Sequence, residues 1–175
     1  LWTWLVSRPR VALADADLTA LERDALHAIA RATWGYFERC VGPADNHLPP
    51  DNLQTTPHDM LAHRTSPTNI GLYLLSVACA REFGWIDTPQ MLTRLEATLA
   101  TMMRLQRHRG HFLNWYDTQT CAPLAPLYVS TVDSGNLSGH LLAVGQACLE
   151  LATSAPQSDA ACTADTVRLQ TLAQA

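Results

Sequence analysis

The chain is organised around Val129-Ser-Thr-Val-Asp-Ser-Gly-Asn-Leu-Ser-Gly-His-Leu-Leu142, a polar segment that runs directly into an apolar one. Apolar residues recur at helical spacing after Asn136, which predicts a buried helix here. Asp133 or Ser134 is predicted to cap the start of this helix, because both side chains can accept hydrogen bonds from free backbone N–H groups. A carboxylate and several hydroxyl and amide groups are therefore expected at the N-terminal end of a packed helix, where they could bind a polar ligand.

A second stretch, Thr65-Ser-Pro-Thr-Asn-Ile-Gly-Leu-Tyr-Leu-Leu-Ser-Val-Ala-Cys-Ala80, has the same design. Aligning Asn69 with Asn136, an offset of 67 residues, also aligns the apolar positions of the two stretches. Repetition over such a length is typical of stacked helical hairpins. In toroids built from these hairpins, the inner helices are rich in small and apolar residues, and the loops at their ends line a cavity. Two similar but unrelated buried helices would give the same pattern, and both interpretations stay open.

The composition excludes several classes of function. Apolar residues make up 47% of the chain, enough for a core, yet no apolar run is long enough to span a membrane. All twelve basic residues are Arg, and the formal charge of −4 argues against nucleic acid as a partner. The five Cys are scattered, and His47, His58 and His63 fit no ligand motif, so we expect no metal and no cofactor.

Periodicity and capping residues predict four helices and a weak fifth. They are expected at 17–41, with Thr19 and Glu22 at capping-box spacing, and at 67–83, with Ser66 as the cap and Pro67 in the first position. The others are expected from 88 to about 108, from the Asp133 or Ser134 cap to about 152, and at 165–174. The long loop at 42–65 carries apolar anchors, so we expect it to be ordered. The predicted organisation is an upstream connecting segment at 1–16, part of a helical domain at 17–152, and a loop with a weak helix at 153–175.

The segment Gly110-His-Phe-Leu-Asn-Trp-Tyr-Asp117 places aromatic residues beside Asn and Asp. This combination suits sugar recognition, because the C–H face of a sugar stacks on an aromatic ring while its hydroxyls need paired donors and acceptors. A short strand or hairpin with Phe112 and Trp115 in the core would explain the same residues. The residues alone favour this simpler interpretation.

These motifs together resemble the glucoamylase-like domain inside the cyclic β-1,2-glucan synthases of bacteria. The resemblance runs in one order through Asp45–Asn52, His63–Ser76, Arg94–Thr101, Arg109–Asp117 and Tyr128–Asn136, and it covers roughly residues 30 to 150. It implies an all-α fold, a partial (α/α)6 toroid of helical hairpins that forms a fragment of a larger domain.

The resemblance also implies a function, the closure of linear β-1,2-glucan into a ring by transglycosylation. In such synthases a membrane-bound glycosyltransferase module builds the glucan and a phosphorylase-like module trims it, so both would be partners on the same polypeptide. The implied location is the cytoplasmic side of the bacterial inner membrane, within a multi-pass membrane protein, and this fragment alone would be inactive. The alternative is a non-catalytic helical module that binds carbohydrate or acts as a scaffold.

Cleavage of a glycosidic bond needs a carboxylic acid to protonate the leaving oxygen and usually a second carboxylate. Asp133 is the first candidate for a catalytic carboxylate, although sugar binding and helix capping are equally open roles for it. A Glu outside this chain could equally be the principal acid. The expected substrate-binding residues are Asp51, Asn52, Arg64, Asn69, Asn114, Trp115, Tyr116, Asp117, Ser134 and Asn136.

Overall fold

The computed structural model describes residues 18–154 and 160–174, and this part of the chain is predominantly helical. Its helices are α1 (Ala20–Cys40), α2 (Pro67–Glu82), α3 (Thr88–Arg104), α4 (Thr131–Ser154) and α5 (Ala160–Ala173). Its strands have two residues each: β1 (Leu53–Gln54), β2 (Met60–Leu61), β3 (Arg64–Thr65), β4 (Arg107–His108), β5 (His111–Phe112) and β6 (Tyr116–Asp117). The predicted all-α class is confirmed.

The chain divides into two compact units, and the boundary falls between Gly35 and Tyr36, inside α1. In the first unit the predicted capping box is present. Glu22 Oε2 accepts from the backbone N–H of Thr19 at 2.8 Å, and Thr19 Oγ1 accepts from the N–H of Glu22 at 3.3 Å. The predicted connecting segment at 1–16 lies outside the described residues.

In the second unit, α2 and α4 are parallel neighbours. Asn136 Nδ2 donates to Thr68 Oγ1 at 3.1 Å, which joins the two N-terminal ends. About one turn further along both helices, His140 packs against Gly71, where an added Cβ would lie 2.8 Å from His140 Nδ1. The absence of a side chain at Gly71 therefore allows the two helices to approach closely. Because α3 packs on α2 and α5 packs on α4, the unit has the arrangement of two adjacent helical hairpins.

The N-terminal cap was predicted correctly for α2 but not for α4. α2 begins as predicted, since Ser66 Oγ accepts from the N–H of Asn69 at 3.2 Å and Pro67 occupies the first position. For α4 the predicted cap at Asp133 or Ser134 was wrong. Ser130 is the cap, because its Oγ accepts from the N–H of Asp133 at 3.1 Å. Asp133 lies instead in the first turn, where the helix dipole stabilises negative charge.

The predicted end of α3 near residue 108 was also wrong. The helix ends at Arg104, because the residues that follow form the antiparallel β4–β5 hairpin. Arg109 and Gly110 make its turn with positive φ angles of 50° and 86°. The guanidinium carbon of Arg107 lies 4.3 Å from the centroid of the Phe112 ring. Arg107 and Arg109 therefore belong to a hairpin, and Arg107 makes a cation–π contact within it.

The long loop between α1 and α2 is ordered, as predicted. Leu48 is completely buried, and β1 pairs with β2. The buried carboxylate of Asp45 accepts from Thr118 Oγ1 at 2.5 Å and is hydrogen-bonded to His63 Nδ1 at 2.7 Å, which fastens the loop to the segment after β6. Among the described residues, no three His, Cys, Asp or Glu side chains form a metal-binding group. In the same part of the chain, no helix combines the length and the apolar character that a membrane span requires.

Candidate functional site

Asp133 lies where the N-terminal ends of α2 and α4 meet. Partial burial acts to raise the pKa of Asp133, but hydrogen bonds from the side chains of Ser130, Thr68 and Ser66 and from the backbone of Thr68 outweigh it. The pKa of Asp133 is therefore below its usual 3.8, and the carboxylate is ionised at neutral pH. The positive ends of two helix dipoles favour the same charge.

Asn114 connects this carboxylate to two aromatic side chains. The indole N–H of Trp115 can only donate and the ionised Asp133 can only accept, so a single orientation of the Asn114 amide satisfies both. In this orientation Asn114 Nδ2 donates to Asp133 Oδ2 at 3.0 Å. Asn114 Oδ1 accepts from the Tyr128 hydroxyl at 2.8 Å and from Trp115 Nε1 at 2.5 Å. The four side chains thus form one connected hydrogen-bonded group.

A second carboxylate, Asp51, organises the other side of the site. Asp51 Oδ2 accepts from Arg64 Nε at 3.1 Å and from Arg64 Nη2 at 2.9 Å. The same oxygen accepts from Asn52 Nδ2 at 3.0 Å, and Asp51 Oδ1 accepts from Asn69 Nδ2 at 3.3 Å. The guanidinium carbon of Arg64 lies 5.1 Å from the centroid of the Trp115 ring, a cation–π contact. Trp115 is therefore shared by the groups around Asp51 and Asp133.

The polar cluster formed by both groups contains seven of the ten predicted binding residues together with the predicted catalytic one. These are Asp51, Asn52, Arg64, Asn69, Asn114, Trp115, Asn136 and Asp133. Tyr128 and Thr68 also belong to it, although neither was predicted. Tyr128 lies in a Pro-rich connection with no periodicity. Its only signals were its place in the Tyr128–Asn136 segment of the resemblance and an aromatic ring directly before the Val129–Leu142 segment.

Three predicted binding residues have side chains committed elsewhere. Tyr116 is completely buried, and its hydroxyl is bonded to backbone groups on both sides of the β4–β5 hairpin. Hydrogen bonds from Thr120, above all from its backbone N–H, hold the pKa of Asp117 below its usual value and make this carboxylate part of a turn. Ser134 Oγ donates to the carbonyl of Ser130 at 2.8 Å within α4. The structure does not bring these three side chains into the polar cluster.

Sequence comparison gives a relative for the chain, although no family model matches it. The cyclic β-(1,2)-glucan synthase NdvB of Rhizobium meliloti (strain 1021) is 52% identical over 151 residues, which are 85% of this chain. The resemblance to bacterial cyclic β-1,2-glucan synthases is confirmed. The chain spans only 5% of the length of that synthase, so it corresponds to a small part of this relative.

Several solved structures share the fold of this chain. A glucoamylase-like protein from Bacteroides fragilis matches 94% of the chain with 37% of its own length, at a TM-score of 0.59 and 17% identity. An endo-β-1,2-glucanase from Chitinophaga pinensis, solved with sophorotriose and glucose, matches 89% of the chain with 36% of its own length, at a TM-score of 0.58 and 16% identity. A β-1,2-glucanase from Parabacteroides distasonis matches 87% of the chain with 20% of its own length, at a TM-score of 0.65 and 13% identity. These likenesses show the fold, and the chain is part of an (α/α)6 toroid.

Proposed function

We propose that this chain forms part of a domain that binds linear β-1,2-glucan and closes it into a ring by transglycosylation. The observation that carries this function is the polar cluster, in which an ionised carboxylate, a fixed indole ring and several amide groups meet at the joined ends of α2 and α4. Sugars require this combination of an apolar ring and paired hydrogen-bonding groups. The name of the similar synthase and the fold shared with β-1,2-glucanases support the same substrate class.

Ring closure breaks one glycosidic bond of the glucan and forms another. The leaving oxygen takes a proton from an acid, and a hydroxyl of the same glucan chain attacks the anomeric carbon and gives up its proton, so no water is consumed. Because Asp133 is ionised at neutral pH, it is suited to accept that proton or to stabilise positive charge, but not to act as the acid. Asp51 is paired with Arg64, and Asp117 is held in a turn with a lowered pKa. We therefore expect the proton donor to come from a residue outside this chain, and the chain alone to be inactive.

We further propose that the domain works within a multi-pass membrane protein, on the cytoplasmic side of the bacterial inner membrane. Its partners on the same polypeptide would be a glycosyltransferase module and a phosphorylase-like module. The support is the length of the similar synthase, of which the chain spans 5%. The remaining length leaves room for both modules.

A non-catalytic carbohydrate-binding or scaffold module is the second candidate, and one observation favours it. Asp133 receives hydrogen bonds from the side chains of Ser130, Thr68, Ser66 and Asn114 and from the backbone of Thr68. A carboxylate offers about four lone-pair positions, so protein donors already occupy those of Asp133. In this candidate function Asp133 joins two helices at a binding surface and takes no part in a reaction.

The substitution Asp133→Asn separates the two candidates when it is made in the full-length protein that carries this chain. If Asp133 takes part in the reaction, transfer on β-1,2-glucan should fall by about 100-fold or more, the usual contribution of a proton-transfer group. Binding, followed by Trp fluorescence during titration with β-1,2-linked gluco-oligosaccharides, should be largely retained. Asp59→Asn, an exposed change in the β1–β2 loop, is the matched control. Turnover that survives in Asp133→Asn would assign this residue to helix joining alone.

A further inference from the structure

We propose that Asn114 is a positioning residue, which holds the Trp115 ring as a rigid stacking platform for one glucosyl unit and does not itself touch the sugar. This role rests on the proposed glucan-binding function of the same site. It revises the sequence-based expectation that Asn114 binds substrate directly.

The first argument is the hydrogen-bonding capacity of the Asn114 amide. The residue is only 5% exposed, so a ligand has almost no access to it. Its Oδ1 has two lone pairs, and both receive protein donors, the Tyr128 hydroxyl and the Trp115 indole N–H. One of its two N–H groups is donated to Asp133. The amide is therefore committed to the protein before any sugar arrives.

The second argument is the way in which Trp115 is held. Its only polar atom, Nε1, is bonded to Asn114, and the Arg64 guanidinium lies over its ring. Arg64 is in turn fixed by two hydrogen bonds to Asp51. Because the cation covers one face of this half-buried ring, a stacking sugar would use the opposite face. An aromatic ring that is already ordered avoids the entropic cost of being fixed during binding.

The third argument is the chemistry that this position requires. The side chain must accept from an indole N–H at one end and donate to a carboxylate at the other, and Asn does both in a short, planar group. Asp in its place would set a second carboxylate about 3 Å from Asp133, where two like charges disfavour each other's ionisation. Asn114 thereby fixes the ring relative to Asp133, and through Asp133 relative to the ends of both helices.

A double-mutant cycle in the full-length protein tests this role. Binding of a β-1,2-linked gluco-oligosaccharide is measured by calorimetry for Asn114→Ala, Trp115→Ala and the double variant. Each single change should weaken binding by roughly tenfold, within the range of coupled contacting residues. If Asn114 acts through Trp115, the double variant should bind about as weakly as Trp115→Ala alone. Independent losses that multiply to roughly 100-fold would overturn the proposal, because Asn114 would then contact the sugar itself.

Two further measurements keep the test decisive. A cryo-EM map of Asn114→Ala should show the Trp115 ring displaced or in several orientations, and an unchanged ring would also overturn the proposal. If Asn114→Ala does not fold, Tyr128→Phe replaces it in the cycle, because Tyr128 is 48% exposed and the change removes one hydrogen bond to Asn114. The loss of affinity caused by Tyr128→Phe should likewise vanish when Trp115→Ala is already present. An additive loss of affinity would count against the role of Asn114. Absence of glucan binding by the unmodified protein would instead refute the proposed function, whatever the orientation of the ring.

Discussion

The polar cluster and the groove between α3, α4 and α5 are neighbouring regions with opposite properties. In the polar cluster, Asn114 and Asp133 find their hydrogen-bond partners within this chain. The groove is apolar, has a volume of about 700 Å³, and is bordered by the side chains of Leu99, Met102, Leu141, Leu142, Leu149 and Leu172. The polar groups of the cluster are satisfied by hydrogen bonds within the chain, whereas the apolar side chains of the groove are not covered by the described residues. We expect further hairpins of the same toroid to cover it, since the chain spans 37% or less of the similar solved structures.

A pair of Leu→Ala substitutions tests this difference most strongly. Leu92 is completely buried within the second unit, so Leu92→Ala should reduce the free energy of unfolding by about 2–5 kcal/mol. Leu142 borders the groove and is 77% exposed, so Leu142→Ala should cost less than about 0.5 kcal/mol in this chain. Urea unfolding followed by circular dichroism measures both. In the full-length protein the cost of Leu142→Ala should rise, and an unchanged cost would mean that nothing covers the groove.

Gly71→Ala should have the next largest effect, because it acts on the contact that sets the distance between α2 and α4. The new Cβ would lie 2.8 Å from His140 Nδ1, so the helices must move apart or His140 must change rotamer. We expect a loss of about 1–3 kcal/mol in the free energy of unfolding, as for other overpacked cores. Combining it with His140→Ala should recover most of this loss. Failure to recover it would show that the close contact with His140 is not the cause.

Asp133→Asn should produce a smaller, pH-dependent loss of stability. Because the pKa of Asp133 is lowered by folding, its ionised form stabilises the protein above pH 3.8, and this contribution disappears as the pH falls through the lower folded-state value. The variant should therefore be about 1 kcal/mol less stable than the parent at pH 7, with a difference that shrinks in acid. Thermal unfolding across pH 2–7 measures the difference. A constant difference would mean that lost packing, not charge, is responsible.

The smallest effect is expected for Glu96→Gln, which removes an ion pair between α3 and α5. Arg168 holds Glu96 with two hydrogen bonds of 2.7 Å and lowers the pKa of its carboxyl group. Both side chains are substantially exposed, so solvent screens the pair and its loss should cost less than about 1 kcal/mol. Unfolding in low and high salt should show a difference only in low salt. A loss as large as that of Gly71→Ala would mean that this ion pair carries the contact between α3 and α5.

The sequence predicted best those features that depend on adjacent residues. Ser66 and Pro67 start α2 as expected, because a cap and a first-turn Pro act locally. The 67-residue offset between the two similar stretches also agrees with the sequence separation of their contact in the structure. Asn136 donates a hydrogen bond to Thr68, 68 residues away. This favours a hairpin repeat over two unrelated helices.

The errors arose where distant partners decide the outcome. Ser130 and Asp133 are both good caps by composition, but Asp133 is bonded to the N-terminal end of α2, so Ser130 serves α4. The hydrogen bonds of Asn114 could not be predicted either, because its partners Tyr128 and Asp133 are far away in sequence. No local sequence pattern shows that the Asn114 amide is buried and hydrogen-bonded to distant side chains.

The meeting of two helix N-termini at Asp133 has an electrostatic consequence for selectivity. An unoccupied pair of helix N-termini attracts anions such as phosphate. Here the chain supplies its own counter-ion, so the local field is compensated before a ligand arrives. An uncharged ligand can then bind here without bringing a charge, whereas an anionic ligand gains nothing from the dipoles and meets a fixed negative group. The same arrangement that joins the helices therefore disfavours anions at this position.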